Sequence, residues 1–201
     1  PPADAMKRRM EIAVQRKALD RTARKAFATD LATGLPNHTQ LLEHMTHLLA
    51  LREREPAPMA VIALRIEGLA SVRASLGAES ANVLRRKVAV RLRASLRASD
   101  VVASIGNDAF VVLLAWIDSP GDGERVAAKL GQSLRQPFSV AGSDVAVSVS
   151  AGLALYPEHG KTADALLRRS VGQAAGLGSL GRDGFASRVE RGPVNAANDA
   201  P

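Results

Sequence analysis

The chain has 201 residues, 27 of them basic and 20 acidic, for a net charge of +7 and a pI near 10.5. That length holds one large domain, or a small domain with an added helix, and excludes a multidomain enzyme. With no Cys there is no disulfide framework, thiolate nucleophile or Cys-ligated zinc, and no apolar run suits a bilayer span or a secretory signal, so the expected location is cytoplasmic and no membrane is involved. Hydrophobic residues at 46% and charged ones at 23% fit a soluble globular chain, and aromatics at only 3% point to an aliphatic core. The excess positive charge favours anionic partners such as nucleotides, nucleic acid or phosphoprotein surfaces.

Residues 3–28 carry no Gly or Pro and place Met6, Met10, Ala13, Val14 and Leu19 at helical spacing, which predicts one long helix. It is strongly basic (Lys7, Arg8, Arg9, Arg16, Lys17, Arg21, Arg24, Lys25) and reads either as a solvated face or as a dimerising stalk. Gly34 and Pro36 then break the chain, and Asn37 is a good N-cap for a helix over 38–52. The run MAVIALRI at 59–66 predicts a buried strand, followed by a short helix over 69–76 that Gly77 ends. Over 78–98, Leu84, Val88, Leu92 and Leu96 form an apolar stripe, with Arg85, Arg86, Lys87, Arg91, Arg93 and Arg97 crowding the remaining surface. Short apolar runs at 101–105 and 110–115, separated by Gly106-Asn107-Asp108-Ala109, predict a β-hairpin. A helix over 121–135, a strand over 145–155 and a last helix over 162–173 complete the pattern, which implies a sheet with helices packed on it. The expected organisation is a helical stalk or linker at 1–29, one globular domain at 30–187 and a flexible tail at 188–201, with both ends looking cut from a longer chain.

Three other constellations are weighed on their chemistry. His44 and His47, three apart on a predicted helix beside Glu43, could share a metal, but without a third ligand they read as solvated histidines. His159 reads as structural, and the lone Trp116 as packing at a strand end. The basic helix admits a nucleic-acid-binding reading, disfavoured by the scarcity of aromatics for base stacking.

Several separated stretches resemble the GGDEF domain family, the diguanylate cyclases. Asp30-Leu-Ala-Thr-Gly-Leu-Pro-Asn is similar to that family's opening motif, Ser75-Leu-Gly77 to its T-L-G-H stretch and Leu153-Ala-Leu-Tyr-Pro-Glu-His-Gly160 to its A-x-Y-P-x-x-G strand end, while Gly106-Asn107-Asp108-Ala109-Phe110 occupies the signature hairpin. The implied fold is α/β (α+β): a central mixed, mainly antiparallel five-stranded sheet flanked by helices, nucleotide-cyclase-like, preceded by the long N-terminal helix.

The resemblance also implies where chemistry should sit. Members of this family join two GTP molecules with the help of carboxylate-held divalent ions. The metal-ligand Asp falls at Arg65, with Glu67 two positions on. Asp108 matches a catalytic acid, Ala109 replaces its acidic neighbour, and Asn107 replaces the second Gly. Arg73 and Asn82 stand at guanine-recognising positions, and Gly178 and Ala175 replace the family's Lys and Tyr near the C-terminus, where Gly181 and Arg182 remain. These departures predict no catalytic residues, no metal, no cofactor and a domain that is not an enzyme. Arg65 could instead pair with Asp108 as a built-in cation, or simply reach solvent.

Arg97-Ala-Ser-Asp100 stands six positions ahead of Gly106, in the register of the family's inhibitory product site. Arg97 and Asp100 are therefore the candidate cyclic di-GMP ligands, with Arg93 and Arg125 as further anion contacts; the alternative is a solvated Arg97 with Asp100 capping a turn. The expected function is a regulatory or protein-interaction module in bacterial cyclic di-GMP signalling, catalytically inactive. Its expected partners are cyclic di-GMP, a neighbouring EAL or sensor domain, and a second copy through the N-terminal helix. A GTP-binding allosteric module, a weakly active cyclase and a basic nucleic-acid-binding module are the alternatives.

Overall fold

The computed structural model describes residues 3–10 and 29–176. Residues 3–10 are helical and exposed; the rest of the expected helix, the tail and positions 178, 181 and 182 lie outside the described residues.

Strand β1 (Met59–Glu67) is the centre of the molecule, in a sheet of order β2-β3-β1-β6 with β2 (Val101–Ser104), β3 (Ala109–Leu114) and β6 (Ser148–Tyr156). Its unbroken apolar run follows from burial on both faces. Ala60, Ile62, Leu64 and Ile66 pack against α2 (Leu69–Leu76), α3 (Ala78–Ala94) and α4 (Gly121–Arg135), through Leu69, Leu84, Leu92 and Leu130. Met59, Val61 and Ala63 pack on the other side against α1 (His38–Arg54) and α5 (Ala163–Ala174), through Leu41, Met45 and Leu166. The alternation of a strand's side chains thus divides one sequence run between two cores. Asn37 caps α1 by accepting from the Gln40 N–H, and Thr162 caps α5 by accepting from Ala165.

The sheet is antiparallel at every pairing, in keeping with the expected mainly antiparallel sheet flanked by helices, and four of the five expected strands lie among the described residues. A separate ribbon of β4 (Phe138–Val140) and β5 (Ser143–Val145) takes part of the segment read as the start of the strand over 145–155. Ala141 (φ 52°) and Gly142 (φ 78°) form the two-residue turn that closes it. Phe138 and Val140 bury their side chains in the core shared with α3 and α4.

Helix α3 stops at Ala94, short of the expected 98, and Arg91 shows how it is fastened. Its guanidinium donates to the carbonyls of Ser133 (3.1 Å), Gln136 (2.5 Å) and Pro137 (3.0 Å), and stacks 3.6 Å from the Phe138 ring. It therefore closes the C-terminal end of α4, where carbonyls lack partners. Among the described residues no helix is long and apolar enough to cross a membrane.

His159 folds the loop after β6 back on the strand. Its Nδ1 accepts from the Leu155 N–H (2.8 Å), and the His159 backbone N–H donates to the Leu155 carbonyl (2.8 Å). The ring is thus held neutral; burial, helped by Arg169 and opposed by Glu158, pushes its pKa below the ordinary value. Between that lowered value and about 6.5 the unfolded chain binds the proton and the folded one does not. Stability is therefore expected to fall on acidification below about pH 6.5, and urea unfolding across pH 5–7.5 should show a shallower decline in His159→Asn than in the parent.

Candidate functional site

The end of β1, the start of α2, the middle of α3 and the β2–β3 turn enclose a cleft of about 630 Å³, lined among others by Arg65, Glu67, Arg73, Arg85, Asn107 and Asp108. Strand alternation puts Arg65 and Glu67 on one face. Arg65 pairs across the sheet with Ala109, and the Ile66 N–H donates to the Asp108 carbonyl (2.7 Å), which holds the turn beside it. The Arg65 Nε lies 3.6 Å from Asp108 Oδ2 and an Nη 3.7 Å from Glu67 Oε2; the three side chains are 44%, 48% and 25% exposed. Of the two readings of Arg65, the built-in cation matches its position, although its stem remains half open to water. Glu67 Oε2 also accepts from Ser150 Oγ at 3.4 Å.

A divalent ion, which the resemblance implies, would draw on the oxygens of Glu67 and Asp108. Arg65 already lies within 4 Å of both, and its guanidinium stays protonated at any working pH. A doubly charged ion about 4 Å from it is repelled by roughly 2 kcal/mol in bulk water and by more near a protein surface. Among the described residues no group of three His, Cys, Asp or Glu side chains is placed to hold a metal, His44 and His47 included. These residues do not fit a divalent ion.

Arg85 is the site residue that sequence reasoning missed. Read as part of the helix surface, it is buried, with its guanidinium bonded to Asp30 Oδ2 (2.6 Å), Ser104 Oγ (2.8 Å) and the Gly106 carbonyl (3.2 Å). Burial tends to raise the Asp30 pKa, but hydrogen bonds from Ser104, Arg85 and the Ala32 N–H, with the Arg85 charge, outweigh it and hold the carboxyl below its ordinary value. The opening motif is thus a clasp: Asp30 also shapes its own loop, and the Ser104 N–H donates to the Pro36 carbonyl (2.9 Å). The signal available in the sequence was spacing, since Arg85 stands four residues after Ala81 and three before Val88, both buried. Of the guanine positions, Arg73 lines the cleft and Asn82 is not part of its lining.

On the far side of α3, Arg97 and Asp100 sit on one turn. Asp100 is buried; its Oδ2 accepts the Arg97 N–H (2.9 Å), and its N–H donates to the Arg97 carbonyl (3.1 Å). The turn-capping geometry is therefore present, and it leaves the exposed Arg97 guanidinium without a partner among the described residues. Arg93 donates to the carbonyls of Asp100 (2.7 Å) and Arg97, and Arg125 pairs with Asp122, so neither is free for an anion. Arg86 pairs with Glu79, and Lys87 donates to the Ser139 carbonyl (2.5 Å). The basic helix spends most of its cations inside the fold, which weakens the nucleic-acid reading. Trp116 is half exposed and stacks 3.8 Å from the guanidinium of buried Arg52, a packing role.

The family model described as "Diguanylate cyclase, GGDEF domain" matches residues 27–175. The bifunctional diguanylate cyclase/cyclic di-GMP phosphodiesterase MucR of Pseudomonas aeruginosa is 31% identical over 156 residues, 78% of this chain and 23% of MucR. The diguanylate cyclase TpbB of the same species is 34% identical over 139 residues, 69% of this chain and 32% of TpbB. The solved GGDEF domain of TpbB superposes with a TM-score of 0.70 at 32% identity, covering 73% of this chain and 86% of that one. The match thus spans less than a third of the length of either relative. The departures at Arg65, Asn107 and Ala109 predict a chain that is not an enzyme, and that expectation is corrected: the matching family is a cyclase family, and TpbB is named as a cyclase. On the family match and these relatives together, the chain belongs to the GGDEF domain family of diguanylate cyclases.

Proposed function

We propose that the domain is a regulatory and interaction module of a larger cyclic di-GMP signalling protein, and that it binds cyclic di-GMP through Arg97 and Asp100. The observation that carries this reading is the unspent Arg97 guanidinium, exposed on a turn that Asp100 fixes. Guanidinium can grip a phosphate through two parallel hydrogen bonds or stack on a base. Asp100 keeps its other carboxylate oxygen free of hydrogen bonds among the described residues, an acceptor suited to the N–H edge of guanine. Arg93 supports the turn by binding two of its carbonyls, so its role is positioning.

Thermal unfolding with and without the dinucleotide tests the reading. A ligand at about 100 times its dissociation constant stabilises the folded state by about 2.7 kcal/mol, so the melting temperature should rise. Arg97→Ala should abolish that rise while melting like the parent without ligand, because its side chain has no partner among the described residues; an equal rise in both proteins overturns the assignment.

A further inference from the structure

A second cavity lies at the opposite end of β1 from the cleft. The end of α1, the segment leading into β1 and the loop after β6 enclose about 610 Å³, and Arg52, Glu53, Tyr156 and Lys161 line it together with three prolines. We propose that this groove binds an organic anion with one carboxylate and an aromatic body, held by Arg52, Tyr156 and Lys161.

Arg52 is carried into the fold by its helix. It follows Leu41, Met45 and Leu49 on the buried stripe of α1, and only 2% of it is exposed. One Nη donates to the Ala115 carbonyl (2.5 Å), and the Trp116 ring lies 3.8 Å from the guanidinium. The buried Nε has no hydrogen-bond partner, and Arg52 forms no ion pair among the described residues. Burial pulls its pKa below the ordinary value; Tyr156 and the exposed Glu55 oppose that shift without pairing with it. A guanidinium keeps its proton, and a buried charge without a counter-ion is costly. An anion entering the groove would supply what the chain does not.

Two more donors line the same groove. Tyr156 stands opposite Met59 in the sheet and is buried, yet its hydroxyl has no hydrogen bond among the described residues. Lys161, exposed at the end of the loop that His159 fastens, is likewise without a partner there.

Charge and lining together set the ligand class. Arg52 and Lys161 against the carboxylate of Glu53 leave one net positive charge, which suits a monoanion and not a polyphosphate. The rings of Pro56, Pro58, Pro157 and Tyr156 offer apolar faces on which an aromatic group packs. The volume falls within the roughly 300–1,000 Å³ of small-molecule sites.

Trp116 is the only tryptophan of the chain and rests on Arg52, so its fluorescence reports on that guanidinium. Titration with phenylacetate should change it saturably, with a dissociation constant of about 1 mM or below. The neutral isostere phenylacetamide should leave it unchanged. Arg52→Met, which replaces a buried charge by an apolar side chain, should fold and weaken phenylacetate binding by roughly 10- to 100-fold, the value of a charged hydrogen bond. Tyr156→Phe and Lys161→Ala remove groups with no partner among the described residues, so they keep the test open if Arg52→Met fails to fold; each should weaken binding several-fold. No saturable response to phenylacetate, an equal response to phenylacetamide, or unaltered phenylacetate binding in Tyr156→Phe and Lys161→Ala would each overturn the proposal.

Discussion

Asp30→Ala is expected to lower the unfolding free energy by about 3–5 kcal/mol, the range for removing one partner of a buried ion pair. Arg85 and Asp30 side chains are only 8% and 14% exposed, so solvent screens their interaction little. Loss of the carboxylate leaves a guanidinium that cannot shed its proton among buried groups. It also removes the carboxylate oxygen that accepts the Ala32 N–H within the loop. Arg85→Met in the Asp30→Ala background should recover much of the loss, because removing both charges removes the unpaired one. Equilibrium urea unfolding of the three variants measures this, and equal stability of parent and Asp30→Ala would contradict the clasp. The Asp30 carboxyl titrates lower when folded than when unfolded, so its stabilisation is complete above the unfolded value near 4 and disappears as pH falls through the lowered folded value. Asp30→Ala should accordingly lose less stability than the parent between pH 5 and 2.

Gly152→Ala should be the second most damaging of the substitutions considered, although it adds a single methyl group. A Cβ at this position of β6 would lie 2.0 Å from the Ser170 carbonyl oxygen and 2.8 Å from the Ala174 nitrogen. Both are backbone atoms of α5, so no side chain can rotate aside. Helix and strand must separate, which also disturbs the Gln173 amide that accepts from the Leu153 N–H at 3.0 Å. The expected cost is at or above the upper end of about 1–3 kcal/mol for overpacking. Thermal and urea unfolding of Gly152→Ala check this directly, and Gly172→Ala, where a Cβ meets nothing within 4 Å, should be neutral or stabilising.

Elements with strong punctuation were legible in the sequence. Gly77 ends α2 where expected, α4 follows Pro120 and covers the expected 121–135, and the apolar run of β1 differs from its expected span by one residue. The β4–β5 ribbon was hidden because strands of three residues offer too little alternation to stand out, and its two-residue turn contains one Gly rather than a strong pair of turn formers. At the site, motif spacing put Arg65 at the metal-ligand position and Asp108 in the signature turn, but whether Arg65 pairs with Asp108 or reaches solvent was open until the side chains were placed. Arg85 stayed hidden, because an arginine among arginines reads as solvated until its place within an apolar stripe is weighed against its charge. Arg97 and Asp100 were found as a pair, whereas the engagement of Arg93 and Arg125 depends on side-chain directions that sequence does not carry. The absence of enzymatic character was inferred from individual substitutions, and the family to which the whole domain belongs corrects it.

The measurement that bears most directly on the regulatory reading is calorimetric titration of cyclic di-GMP into the protein and into Arg97→Ala side by side. Saturable micromolar binding by the parent and none by the variant is the predicted result. Identical isotherms for the two proteins, or a parent that takes up no dinucleotide, would contradict it.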